Sequence, residues 1–227
     1  MTGWSPRITE IVGRFTRASN ATLLARAGPE LVVYKPTAGE RPLWDFPVDT
    51  LAAREVLSYE VDRALGFGLV PETVLGDGPL GPGSIQRFVT VDESFDPVPL
   101  IRAADPRLWP VALLDLVTNN ADRKAGHVLA EEGTRRLFAI DHGLTFHPED
   151  KLRTVLWGFA GQPLPAELLE PLDRLAEAVD GALGDRVASL LGPAELAALR
   201  ERVRTLRSVP VHPLPPDDRH AVPWPPV

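Results

Sequence analysis

Apolar and polar positions divide the chain into a β-prone first part and a helical last part. Ile8–Phe15 shows partial alternation of β-prone residues, and Thr22–Ala25 and Leu31–Lys35 follow, separated by the turn Ala27-Gly28-Pro29-Glu30. These segments predict three antiparallel strands. Pro36–Thr50 is rich in proline and glycine and reads as a loop, with Asp49 or Thr50 capping the next helix. Leu51–Leu65 places apolar residues at 51, 56, 57, 61, 64 and 65, the stripe of an amphipathic helix, and Gly66 and Gly68 stop it. Val70–Leu75 and Ser84–Val91 read as strands about a turn at 76–83, and Asp92–Pro99 as a boundary. Helices are expected at Pro106–Thr118, Ala166–Leu183, Asp185–Leu191 and Pro193–Leu206, the last opening on a proline suited to a first helical position. Ser208–Val227 is Pro-rich. It reads as an extended tail packed on the body through Trp224, or as a polyproline ligand for a partner.

Two polar clusters interrupt this apolar frame. Asn119–His127 follows the apolar run at Leu113, and Ile140-Asp141-His142-Gly143 follows the short β-prone segments Val128-Leu129 and Leu137–Ile140. The layout sets Asp122, His127 and Asp141 at the ends of one hairpin. Phosphoryl transfer of the kinase type needs one carboxylate to accept the nucleophile's proton and a second to hold a metal on the phosphates. The usual spacing is Asp-x-x-x-x-Asn, then an Asp after a short hairpin. Here Asp122 is followed at that spacing by His127, and Asp141 opens Asp-His-Gly. Asn, Asp and Gly are also ordinary turn formers, so the clusters gain meaning only with a lysine, its acidic partner and a nucleotide-binding strand. Lys35 closes an apolar strand and either reaches phosphates or snorkels to solvent. Glu55 lies beside the helix stripe, placed to meet Lys35 or to sit as a solvated helix charge. The loop Thr16–Ala21 is small and polar. Its backbone and the Ser19–Asn20 pair suit either a phosphate cradle or a plain hairpin turn.

Composition narrows the classes. With 227 residues and 44% hydrophobic residues, the chain is one large domain or two small lobes with a real core. It has no cysteine, which removes disulfides, thiolate metal sites and a cysteine nucleophile. A net charge of −7 without a long basic run argues against nucleic acid and against docking on an anionic membrane. No segment reads as a signal peptide or membrane span, so a cytoplasmic protein is expected. Lysine occurs only at 35, 124 and 151 among 24 basic residues, which marks each lysine for a specific role.

In order, the pieces are a hairpin, a strand with Lys35, a helix with Glu55, a strand at 84–91, Asp122 and Asp141. Together with VYKPTAGERPLWDFP, REVLSYEVDRALGFGLVPETVL, GPLGPGSIQRFV, NNADRKAGHVL and AIDHGLTFH, they resemble the phosphatidylinositol 3-/4-kinase superfamily near its type II phosphatidylinositol 4-kinase and HipA-like branches. More closely, the chain resembles an actinobacterial family of small PI3/4-kinase-like proteins, the SCO1664 family. The resemblance implies an α+β, bilobal, protein-kinase-like fold. A small β-rich lobe would span 1–90, a mainly helical lobe 91–208 and a Pro-rich tail 209–227. It implies ATP with Mg²⁺ or Mn²⁺ as cofactors. Lys35 would bind ATP phosphates and Glu55 would orient it. Gln86, Arg87 and Phe88 would lie at the adenine, Asp122 would be the base, and Asp141 with His127 would hold metal. His127 stands where the family has Asn, which points to a changed metal preference or to reduced activity. The acceptor would be a small polyol or a protein. Lys151 and Arg153, beyond Asp141, would bind an anionic substrate or pair with Glu149 and Asp150. Four alternatives stay open: a nucleotide-binding pseudokinase, transfer of AMP instead of phosphate, a structural-only role for the loop, and a zinc site of His127, Asp141 and His147.

Overall fold

Side chains alternate across a strand, so Val32 and Tyr34 must face one way and Val33 and Lys35 the other. The computed structural model describes residues 3–16 and 20–227. It sets these residues in a sheet of β1 (Glu10–Arg14), β2 (Leu23–Ala27), β3 (Glu30–Pro36), β4 (Thr73–Gly78) and β5 (Gly81–Arg87). All neighbours are antiparallel, in the order β1-β2-β3-β5-β4. Tyr34 pairs with Ile85, and both join Leu23, Ala25, Ala27 and Val32 in a small core beneath Trp4 and Ile8. Lys35 pairs with Ser84, and Val33 with Gln86, on the opposite face. Half-buried Leu24 and Val33 give that face an apolar floor beside Lys35.

The turn expected at 76–83 is much shorter. Gly78 pairs with Gly81, so only Pro79 and Leu80 make the turn. Gly76, Gly78 and Gly83 stand in the strands where a side chain would not fit. A Cβ on Gly78 would lie 2.6 Å from the Tyr34 ring, and one on Gly83 would lie 2.3 Å from the Lys35 carbonyl oxygen. These glycines signal close packing rather than a loop.

α1 (Leu51–Leu65) is buried on nearly every side, including Arg54, Glu55, Ser58 and Asp62. A simple amphipathic stripe does not describe it, because it lies between the sheet and the helical lobe. Neither Asp49 nor Thr50 caps it by a side chain. Glu40 does so from the preceding loop, accepting from Leu51 N–H at 3.3 Å and Ala52 N–H at 3.1 Å. That carboxylate also suits the positive end of the helix dipole.

The helical lobe comprises α2 (Val98–Arg102), α3 (Trp109–Thr118), the hairpin β6 (Val128–Ala130) and β7 (Leu137–Ala139), α4 (Leu169–Asp180), α5 (Ala182–Leu190) and α6 (Pro193–Ser208). The helix expected through Leu183 ends at Asp180, because Gly181 takes an extended backbone that breaks the helical run. Leu57, Val61 and Leu65 of α1 share one core with Leu113 and Val117 of α3, Leu172 and Leu175 of α4, Val187 of α5, and Leu199 and Val203 of α6. Among the described residues no helix is long and apolar enough to cross a membrane.

The Pro-rich tail lies on the body, but not through Trp224, whose ring is almost wholly exposed. Pro223 turns inward instead. Backbone carbonyls hold the segment. Ala221 accepts from Thr154 N–H at 3.0 Å and the Trp157 indole at 2.8 Å, and Pro226 accepts from Ala125 N–H at 2.8 Å. A Pro-rich stretch has few donors of its own, so it binds by offering carbonyls.

Candidate active site

β3, α1 and the turn after β7 converge on Lys35. Its ammonium donates to Oε1 of Glu55, and to Oδ1 of Asp141 at 2.8 Å. The three residues are far apart in sequence, and the packing of α1 against the sheet brings them together. Burial alone disfavours the ammonium, but Asp141 and Glu55 outweigh it and hold its pKa above the ordinary lysine value. Burial raises the Glu55 carboxyl, and the charge of Asp141 adds to this, against the pull of Lys35. Glu55 also accepts from His142 N–H at 3.0 Å through Oε2. The charge of Lys35 holds Asp141 well below the usual carboxylate range. The Asp141 side chain remains about half exposed and opens to the cleft, although both lobes crowd it.

The Asn119–His127 loop starts where Asn119, at φ +55°, ends α3 in the left-handed conformation that asparagine tolerates. Asn120 Oδ1 accepts from Asp122 N–H at 2.9 Å and so fixes the backbone of the candidate base. Lys124 Nζ lies 3.0 Å from the Asp122 carboxylate. Burial raises the Asp122 pKa against the opposing pull of Lys124. A carboxylate moved towards neutrality is better matched to taking a proton near pH 7.

Beneath the loop is a polar network that no local motif announces. Arg123 is fully buried and forks onto Asp115, with contacts of 2.9 to 3.1 Å. Asn120 donates to the same carboxylate at 2.9 Å. Arg123 Nη1 donates to the Ile140 carbonyl at 2.9 Å. The one signal in the sequence is Asp115, a carboxylate inside the otherwise apolar stretch Trp109–Val117. Such a charge is buried only when paired.

His127 and Asp141 do meet, with Nε2 3.4 Å from Oδ2. Burial lowers the His127 pKa to about 4 despite the nearby Asp141, so the imidazole is neutral. Its Nδ1 faces Lys124 N–H at 3.5 Å. In that tautomer Nε2 carries the proton and faces Asp141; with the proton on Nδ1, Nε2 is free to bind a metal. The backbone at this turn is unusual. Asp141 and the fully buried Phe146 both have φ +61°, a costly conformation for a bulky residue and one that clusters at functional sites.

The remaining expected residues spread over both lobes. Gln86 lies on the Lys35 face, where its amide donates to Thr73 at 2.8 Å. Arg87 points to the opposite face, where it bonds Glu72 and Glu30 and covers the Trp4 ring. Phe88 is half-buried, and its N–H reaches Leu31 O at 3.3 Å. Asn20 spends its side-chain oxygen on Arg41 N–H at 2.9 Å, and Ser19 lies outside the described residues. Lys151 pairs with Glu149 and Asp45 and sits 5.2 Å over the exposed Trp44 ring. Arg153 donates to the Ala121 carbonyl at 2.8 Å, and Asp150 pairs with Arg219. All three lysines therefore hold carboxylates in or beside the cleft. His147 bonds the Asp45 carbonyl at 2.9 Å and packs edge-on against Phe46. Among the described residues, no group of three His, Cys, Asp or Glu gathers to hold a metal, and this removes the basis for the zinc alternative.

Over 95% of its length, the chain is 39% identical to Protein Rv2133c of Mycobacterium tuberculosis, and the match covers 91% of that protein. The chain belongs to the family of that mycobacterial protein. A shorter stretch, 40% of the chain, is 34% identical to phosphatidylinositol 4-kinase gamma 4 of Oryza sativa subsp. japonica and covers 20% of that protein. Among solved structures, the Helicobacter pylori proinflammatory kinase CtkA superposes with a TM-score of 0.59 over 91% of this chain and 93% of its own. At 14% identity that likeness shows the fold, which is the α+β kinase fold with a β-sheet lobe and a helical lobe. No protein-family profile matches the chain. The fold and the partial sequence match support a kinase-like function.

Proposed function

We propose that the protein is an ATP-dependent atypical kinase of the actinobacterial PI3/4-kinase-like type, transferring the γ-phosphoryl group to a hydroxyl of a small polyol or a protein. The observation that carries this reading is the convergence of Lys35, Glu55 and Asp141 from three separate elements, with the Lys35 ammonium bonded to both carboxylates. A lysine held between two carboxylates is poised to exchange one of them for phosphate oxygens. Asp141, with His127 beside it, suits Mg²⁺ or Mn²⁺, since such ions commonly take one or two protein ligands and complete their shell with water and phosphate. A bound ion would neutralise phosphate charge. The protein's own groups do the rest. Lys35 holds the phosphates, Glu55 and the His142 N–H keep Lys35 aimed, and Leu24 and Val33 offer an apolar floor for the adenine. Asp122 takes the proton of the acceptor hydroxyl as its oxygen attacks the γ-phosphorus and the bond to the β–γ bridging oxygen breaks, releasing ADP. Positioning and charge stabilisation supply most of the rate.

The test is thermal unfolding with ATP under Mg²⁺ and then Mn²⁺, beside Asp141→Ala, followed by turnover with α- and γ-labelled ATP. A ligand that binds only the folded state raises the unfolding temperature by mass action. The reading expects a metal-dependent rise that Asp141→Ala abolishes, and γ-label in the product. Asp122→Asn should bind ATP normally and lose about 10²–10⁴ in rate. His127→Asn should move the metal preference towards Mg²⁺. A rise without turnover would favour a pseudokinase, α-label in the product would favour AMP transfer, and no rise under either metal would remove the nucleotide site.

A further inference from the structure

α6, the chain that follows it and the segment after the Asp141 turn line an open cavity of about 830 Å³. Sites for drug-sized molecules commonly span ~300–1,000 Å³ and are mostly apolar with a few polar groups that fix orientation. This cavity fits that description. Its apolar wall is formed by Leu116, Leu152, Trp157, Leu206, Val211 and Leu214. It lies apart from Lys35 and Asp122, and the phosphoryl-transfer reading makes no use of it.

Two arginines in the wall keep buried donors without an acceptor. Arg219 lies 2.9 Å from Asp150 and 3.6 Å from Asp218, although its Nε and Nη2 are buried without a hydrogen-bond acceptor, and Glu201 is paired with Arg204. Arg202 has no carboxylate within ion-pair distance among the described residues. Its Nε donates to the Val117 carbonyl at 2.9 Å and its Nη1 to the His147 carbonyl at 3.3 Å. Its Nη2 is buried and finds no acceptor in the protein. Arginine stays protonated in proteins, so Arg202 is a largely buried cation without a carboxylate of its own at ion-pair distance. Burying such a charge beside apolar residues is costly unless something pairs with it. The planar fork of a guanidinium matches a planar carboxylate.

We propose that this cavity binds a small monocarboxylate with an apolar body, the carboxylate on Arg202 and the body against Leu116, Leu152, Leu206 and Leu214. The bound molecule would touch the segment 148–152. That segment is fixed from the catalytic loop by Asn119, which donates to the His147 and Glu149 carbonyls at 2.9 and 2.7 Å and accepts from Lys151 N–H at 3.0 Å.

Isothermal titration of the full chain with decanoate, 1-decanol and decyl phosphate tests this. The three probes share an apolar body and differ in the head group. Decanoate should bind at one site about tenfold or more tighter than decanol, since a charge-assisted hydrogen bond distinguishes them. Arg202→Met should close that gap, and Arg202→Lys should keep part of it. Ala198→Phe, on the half-buried wall of α6, should remove binding of both by filling the cavity. Each variant's unfolding transition is read first, and Arg202→Lys with Ala198→Phe decides the matter where Arg202→Met does not fold. Equal affinity for decanoate and decanol overturns the proposal, as does undiminished binding to Ala198→Phe. Decyl phosphate binding tenfold tighter than decanoate would overturn the carboxylate assignment.

Discussion

The guanidinium of Arg123 donates to Nε2 of His142 at 2.7 Å, and so ties the residue after Asp122 to the residue after Asp141. His142 is fully buried, and burial together with Arg123 keeps its pKa well below the ordinary imidazole value. It is therefore neutral, accepts at Nε2 and carries its proton on Nδ1. The same arginine forks onto Asp115, so one buried cation spaces the candidate base from the candidate metal ligand. Arg123→Leu should destabilise the fold by about 3–5 kcal/mol, because it leaves the Asp115 carboxylate buried and unpaired. The double variant Arg123→Leu, Asp115→Leu should recover much of that loss. Urea unfolding of the single and double variants measures both, and a single-variant loss below about 1 kcal/mol would deny the pair its structural role.

Lys35 separates two carboxylates that would otherwise repel each other. Lys35→Met should abolish the ATP-induced rise in unfolding temperature, because the phosphates lose their cation. Glu55→Gln should weaken it less. The neutral amide still accepts from His142 N–H, but it aims Lys35 less firmly. If Lys35→Met changed stability while nucleotide affinity stayed the same, the lysine would be structural only.

The parts of this site that could be read in the sequence were those carried by local spacing. Asp122, His127 and Asp141 stand at fixed distances about a short hairpin, and the structure brings His127 and Asp141 into contact. Lys35 and Glu55 were legible as a lysine at a strand end and an acid beside a helix stripe, although nothing local required them to meet. Arg123 and His142 were not legible as partners, because their contact depends on how two turns stack over Asp115. The glycines of β4 and β5 misled for a related reason. In sequence they are turn residues, but in space Gly78 and Gly83 clear room for neighbours on β3 and Gly76 for Ile85 on β5. The tail's anchor was misjudged because an aromatic ring was expected to do what the carbonyls of Ala221 and Pro226 do.

Asp62 gives the fold a pH dependence of definite sign. Its carboxylate accepts from Leu69 and Val70 N–H, both at 3.1 Å. Burial still raises its pKa to about 6, against the pull of those bonds. In the unfolded chain an aspartate titrates near ~4. Between those values the folded state binds more protons than the unfolded one. This residue's contribution to stability is therefore complete below about pH 4, falls as pH rises towards 6 and is level above. The size of the fall is about 2–3 kcal/mol. Asp62→Asn should remove it, so the stability gap between wild type and variant should change over pH 4–6 and be constant from 6.5 to 8. A gap that does not vary with pH would show that Asp62 binds its proton equally in the folded and unfolded states.

Gly83 connects backbone packing to the site. It pairs with Pro36 in the register that sets Lys35 opposite Ser84. An added methyl would meet the Lys35 carbonyl oxygen and Pro36 Cα at 2.3 and 2.8 Å, and backbone atoms have no rotamer by which to move aside. Gly83→Ala must therefore push β5 away from β3. Overpacking of this kind costs about 1–3 kcal/mol, and here it should also displace Lys35 and weaken ATP binding. Gly13→Ala is the control. Nothing lies within 4 Å of its added Cβ, so the change should stay within about 0.5 kcal/mol. Unfolding and nucleotide titration of both variants separate the effects. Loss of stability with unchanged nucleotide affinity in Gly83→Ala would mean that Lys35 reaches its ligand independently of the β3–β5 spacing.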